Sequence, residues 1–286
     1  MASPLRAVPA HAIESLEPVV LQRVRAALPE EIRARLRSAR ELDRTRRDEA
    51  EEHPPLATAV PALDLLLDGG LPRGHLVELV GGRTSGRFST LLAALAATTG
   101  TGETAALVDL GDGLDPAAAA ALGVDLERLL WVRPGGLKEA MAGAEMLIGA
   151  GFSLVVLDLG APPVHGGRGA EAGWLRLARA ARAHGAALLI GSPYRVSGTA
   201  ASAVLKAGRP RALWQGGGGA PWLLGGLSTR IEVEKHRHRL PGHSEGLDLV
   251  VADAPPAPTV VPPAPRVVVE REATWQEPLR AVGGRR

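Results

Sequence analysis

Residues 81–89 read Gly-Gly-Arg-Thr-Ser-Gly-Arg-Phe-Ser. A loop that cradles phosphate follows the pattern G-x-x-x-x-G-K-[ST]. Its glycines let backbone N–H groups close on the anion, its lysine reaches the outer phosphates, and its hydroxyl holds Mg²⁺. Gly81 and Gly86 stand at the glycine positions. Arg87 replaces the lysine and Phe88 replaces the hydroxyl. Arginine keeps the charge on a longer, planar head, so the exchange is not conservative. Phenylalanine offers a magnesium ion nothing. Ser89, one residue on, lies about 100° around a helix and faces elsewhere. The expectation is a backbone cradle still built, with its side-chain chemistry changed. Weak anion binding at the helix N-terminus after Gly86 would survive such a change, because backbone amides and the helix dipole do that unaided.

A loop of this kind needs a strand in front of it and a helix behind it. The apolar run 75–80 supplies the strand and 89–98 the helix. Further strands are expected at 104–109, 129–132, 153–158, 186–191, 211–215, 230–234 and 246–251. Helices are expected at 88–99, 115–122, 136–149 and 170–184. The run Leu154-Val-Val-Leu-Asp158 has no polar alternation, as in a strand buried on both faces. Strands alternating with helices predict an α/β fold: a doubly wound, mostly parallel sheet with helices on both faces.

Around that core the chain changes character. Residues 1–53 form an arginine-rich, helical extension. Pro29-Glu30-Glu31 is a good helix start. Behind it Arg33, Arg37 and Arg40 flank a thin apolar stripe of Ile32, Leu36, Ala39 and Leu42 at helical spacing. A solvated helix and a contact with nucleic acid or an acidic partner both fit that pattern. The core is expected over 56–252. A Pro-rich, extended linker and tail follow over 253–286, with Trp275 near the end as a candidate docking residue. Only three of the 33 basic residues are lysine, Lys138, Lys206 and Lys235, so arginine at position 87 could be general drift. Phe88 has no such explanation. Net charge is +2, which is compatible with nucleic acid without indicating it. The absence of cysteine excludes disulfides, thiolate metal sites and cysteine nucleophiles. No apolar run reaches 18 residues and no signal peptide is visible, so a cytoplasmic location is expected.

Over roughly 57–252 the chain resembles the RecA family. The resemblance rests on an ordered set of segments: Gly69-Gly-Leu-Pro-Arg-Gly74 leading into the loop, Val108-Asp109 through Gly113-Leu-Asp-Pro116, Leu122-Gly-Val-Asp125, Leu154–Asp158, and Thr229-Arg-Ile-Glu-Val-Glu-Lys235. The resemblance implies an ATP site in which Asp158 would sit behind a magnesium ion. It also implies where this chain departs from the pattern. The family's catalytic glutamate falls at Gly111, with Asp112 beside it. The aromatic that packs the adenine falls at Ala118, and the γ-phosphate-sensing glutamine falls at Pro193. With Arg87 and Phe88, five nucleotide-handling positions have changed together. Loss of a general base alone costs about 10²–10⁴-fold in rate, so ATP hydrolysis is expected to be absent or vestigial. No cofactor is expected, with weak ATP and magnesium binding left open. The family's DNA-contacting loops correspond to 159–169 and 196–202, both shortened. Lys235 and Arg237 match two basic positions that reach a neighbouring subunit in the family. A solvated strand end, a partner contact and a DNA contact all remain open for them. The histidines of that region have no carboxylate set spaced for a metal.

Within the RecA-like group, residues 59–74 together with the degenerate loop look like the ImuA proteins. That resemblance implies a non-catalytic adaptor in SOS-type translesion DNA synthesis. Its partners would be an ImuB-like protein, an error-prone replicative-type polymerase and RecA itself, with any DNA contact indirect. Two alternatives stand beside it. One is a weak DNA-dependent ATPase that remodels RecA filaments through Arg87 and Asp112. The other is a SulA-like cell-division inhibitor.

Overall fold

Alternation within short apolar runs sends successive side chains to opposite faces of a sheet, and here both faces are covered. The computed structural model describes residues 23–24, 26–33, 53–160, 170–216, 222–238 and 240–250. Nine strands form one sheet: β1 (Leu76–Val80), β2 (Ala105–Asp109), β3 (Leu129–Val132), β4 (Leu154–Asp158), β5 (Ala187–Ser192), β6 (Ala203–Ala207), β7 (Arg211–Gln215), β8 (Leu223–His236) and β9 (Ser244–Val250). Their order is β3-β2-β4-β5-β1-β6-β8-β7, with β9 also paired to β8. The pairs from β3 through β6 are parallel, and every pair made by β8 is antiparallel.

The described helices are α1 (Glu30–Arg33), α2 (Pro61–Leu66), α3 (Arg87–Gly100), α4 (Pro116–Ala121), α5 (Leu137–Gly149) and α6 (Ala170–His184). Val77, Leu79, Leu107, Val156 and Leu189 pack on one side with Leu63 of α2 and Leu91 and Leu95 of α3. Leu76, Val108, Val155, Leu157 and Ile190 pack on the other side with Ile148 of α5 and Trp174 and Leu177 of α6. Burial on two faces is why the central strands carry no polar alternation. This is the doubly wound α/β architecture expected from the sequence, and it puts the C-terminal ends of β1, β2, β4 and β5 side by side.

The fold differs from the expected elements at three places. Strand β6 lies in a stretch where the sequence predicts no element, because Ala-Val-Leu-Lys-Ala is short and weak in β-formers. Strand β8 runs far beyond the expected 230–234, since Gly225 and Gly226 resemble a turn but form a bulge opposite β7. The short helix α2 has no counterpart among the expected helices. The arginines expected to make contacts at 37 and 40 lie outside the described residues, as do the side chain of Arg33 and the tail over 253–286. No helix among the described residues is long and apolar enough to cross a membrane.

Candidate functional site

The loop after β1 is built almost wholly from backbone. Gly81 N donates to Ser192 O at 2.9 Å, tying the loop to β5. Residues 82–84 are exposed, and Ser85 turns inward so that its Oγ donates to Gly82 O at 2.8 Å. A Cβ on Gly81 would collide with that Ser85 hydroxyl and displace it. Gly86 takes φ 83°, and α3 starts at the next residue. A side chain on Gly86 would also strike Leu249 of β9. Leu249 of β9 therefore lies directly against the loop.

Arg87 does not face outward. Its guanidinium is buried: Nη1 donates to Gly81 O at 2.7 Å, and Nη2 donates to Gly160 O at 2.6 Å and to Asp158 Oδ1 at 3.2 Å. One head group thus bonds the ends of β1 and β4 to the first turn of α3, and its positive charge is consumed by Asp158. Asp158 pairs in register with Asp109 on β2. Burial, helped by the Asp109 charge, outweighs the Arg87 guanidinium and pushes the Asp158 carboxyl up to about 6. Asp109 accepts through Oδ2 from Gly113 N, Leu114 N and Trp131 Nε1. Its Oδ1 and the Arg87 Nε are buried without a hydrogen-bond partner in the structure.

The other expected nucleotide positions are also accounted for. A Cβ at Gly111 would sit 2.6 Å from Gly160 Cα and 2.9 Å from Asp158 Oδ2, so the backbone approach excludes any side chain where a glutamate would be needed. Neighbouring Asp112 is held on the surface by Arg133 through bonds of 2.7 Å to each carboxylate oxygen, which keeps it below the usual carboxylate range. The ring of Phe88 lies 3.6 Å from the point a Gly113 Cβ would occupy and joins the core with Leu249. Ser89 is exposed, and the buried Arg87 guanidinium bonds the loop at Gly81 O. Ala118 is exposed on α4, and Pro193 lies at the end of β5. Mg-nucleotide is held by a free cation and an oxygen ligand, and its hydrolysis also uses a base; the inward-bonded Arg87, Phe88 and Gly111 do not fit these roles.

The loop after β5 is pinned from two sides. Glu78, a lone acid in the middle of buried β1, accepts from Ser192 Oγ at 2.8 Å, Val196 N at 2.7 Å and Ser197 N at 3.1 Å, and from the Ser197 hydroxyl. Lys235 Nζ donates to the carbonyls of Gly198, Thr199 and Ala201. Its ammonium is therefore spent inside the chain, and burial together with Arg195 and Arg237 lowers its pKa. Arg237 itself is exposed. The sequence groups Lys235 and Arg237 as contact residues; Arg237 is exposed, while Lys235 is half-buried and bonded to the loop after β5. Sequence reasoning missed Glu78, whose signal was a charge inside an otherwise unbroken apolar run. Among the described residues no cluster of three or more histidines and carboxylates could hold a metal.

Residues 44–165 match the family described as the RecA N-terminal domain. Over that stretch the chain is similar to RecA. Its curated relatives include Protein RecA of Synechocystis sp., 38% identical over 104 residues, which are 36% of this chain and 29% of that protein. Protein RecA of Lactobacillus delbrueckii is 39% identical over 107 residues, 35% of this chain and 32% of that protein. The RecA-like match thus spans about three tenths of the length of these relatives. Among solved structures, the crystal structure of the RadB recombinase aligns with TM-score 0.51 and 20% identity over 67% of this chain and 94% of that one. That likeness concerns the fold.

Proposed function

We propose that this chain is a RecA-like adaptor that does not turn over nucleotide and acts in damage-induced translesion DNA synthesis. What carries the reading is Arg87. The residue at the phosphate-binding position is bonded inward to Asp158 and two carbonyls, and it serves as a structural cross-link. The glycine contact at 111 and the apolar cover from Phe88 and Leu249 support the same reading. A RecA-like match and the ImuA-like phrase at 59–74 favour a DNA-repair setting. The partners are an ImuB-like protein, an error-prone replicative-type polymerase and RecA, reached through the arginine-rich N-terminal extension and the Pro-rich tail. The filament-remodelling ATPase is disfavoured because Asp112, its substitute base, is clamped by Arg133. A SulA-like division inhibitor would make cells filament on overexpression without DNA damage.

The test is ATP binding by calorimetry, and turnover with and without single-stranded DNA and Mg²⁺, on the purified full chain. The expected result is no binding and no turnover, together with retention of the ImuB-like protein that is lost on removing 1–53 and 254–286. DNA-stimulated turnover that disappears in Asp158→Ala would overturn the reading.

A further inference from the structure

Beyond Ala207 the sheet continues as a three-stranded arm. Strand β7 runs on along β8 after β6, and β9 lines the opposite edge of β8. Register fixes which residues share a face. Ala212 pairs with Leu227 and Leu227 with Leu249, so these three form one row, the row whose Leu249 lies against the phosphate-type loop. Trp214, two residues beyond Ala212, lies on the same face and pairs with Leu224. Trp222 immediately precedes β8. Trp214, Trp222 and Leu224 are about half exposed, at 47%, 50% and 49%. The opposite face carries Leu223 and Val250, which are more exposed still. In a chain with eight aromatic residues, two half-exposed tryptophans lie on this one arm.

The arm also has an open edge. Strand β7 is bonded to β8 and has no second partner strand among the described residues. Natural edges are usually blunted by lysine, proline or inward charge, because an open apolar edge is a template for another strand. Here Pro210 and Arg211 stand at one end of the edge, and the central Ala212-Leu213-Trp214 carries no charge and no proline. It is also self-complementary. In an antiparallel pair of two such strands centred on Leu213, Arg211 faces Gln215, Ala212 faces Trp214, and Leu213 faces its own copy. No like charges oppose one another, and a small residue meets each indole.

We propose that β7 is a homodimer interface. Two copies join edge to edge about a twofold axis at Leu213, and the tryptophan-bearing faces continue across the junction. An isologous contact of this kind closes on itself and leaves no further open edge at β7. The proposal is independent of whether the loop at 81–87 binds nucleotide.

The experiment is sedimentation velocity of the full chain across the micromolar range, with far-UV circular dichroism to verify folding of each variant. The expected result is a monomer–dimer equilibrium. Ala212→Glu and Trp214→Lys, each made alone, should weaken it about tenfold or more, since each removes a small-to-large fit twice. Combined in one chain they place opposite charges across the axis at two points, and should restore association relative to either single variant. A monomer throughout would overturn the proposal and leave the arm to a different protein. So would a dimer that these variants do not perturb, or a double variant no tighter than the singles.

Discussion

At Arg87 a single side chain has exchanged an outward role for an inward one, and its removal should be felt in stability. Arg87→Met leaves Asp158 buried beside Asp109 with no counter-charge, and strands the carbonyls of Gly81 and Gly160. Breaking a buried pair from one side costs about 3–5 kcal/mol, which urea unfolding would measure. Arg87→Lys restores the letter of the motif, yet a compact ammonium lacks the fork by which separate guanidinium nitrogens reach Gly81 O and Gly160 O. It should lose about 1–3 kcal/mol and gain no ATP affinity by calorimetry. Asp158 predicts a pH signature. Its folded pKa of about 6 lies above the unfolded value near 3.9, so the folded state holds the proton more tightly. The stability this confers is present below about pH 4 and is lost as pH rises through about 6. Unfolding free energies of the wild type and Asp158→Asn, measured from about pH 4 to 7, should therefore differ by an amount that changes across that window and is flat above it. The sequence displayed the substitution at 87 but not its direction. Where the guanidinium goes is decided by Asp158 and Gly160, 71 and 73 residues away along the chain.

At the scale of elements, the loop after β5 owes its shape to one buried carboxylate. Glu78→Gln keeps the volume of Glu78 but weakens the bonds from Ser192, Val196 and Ser197. Hydrogen exchange at the Val196 and Ser197 amides should rise roughly tenfold to a hundredfold, as expected for bonds to a charged acceptor, while amides of α6 stay protected. Lys235→Met should loosen 198–201 in the same assay without moving Val196. Element positions were legible wherever period and punctuation agreed. Helix α6 runs over 170–184 as expected, framed by glycines, and β4 is announced by its unbroken apolar run. Strand β6 was hidden because alanine and lysine carry no β signal. The length of β8 was hidden because two glycines that usually end a strand instead form a bulge inside one. Glu78 was overlooked because its partners come from β5 and the loop behind it, a pairing that only the folded sheet creates.

At the scale of the whole molecule, the fold has kept the RecA-like frame while its loop ends serve as mutual supports. Gly111 and Gly160 touch backbone to backbone, and even Gly111→Ala should destabilise the protein by about 1–3 kcal/mol through overpacking. Chemical denaturation would check that value. The same contact constrains the protein's future. A side chain at position 111 could serve as a base only if there were volume to hold it. Here a neighbouring turn closes that volume, so any such substitution is penalised before a catalytic benefit could arrive. On the proposed non-catalytic reading the contact behaves as a ratchet: selection can retune the surfaces freely, but fuel-driven work would have to begin by unbuilding the core.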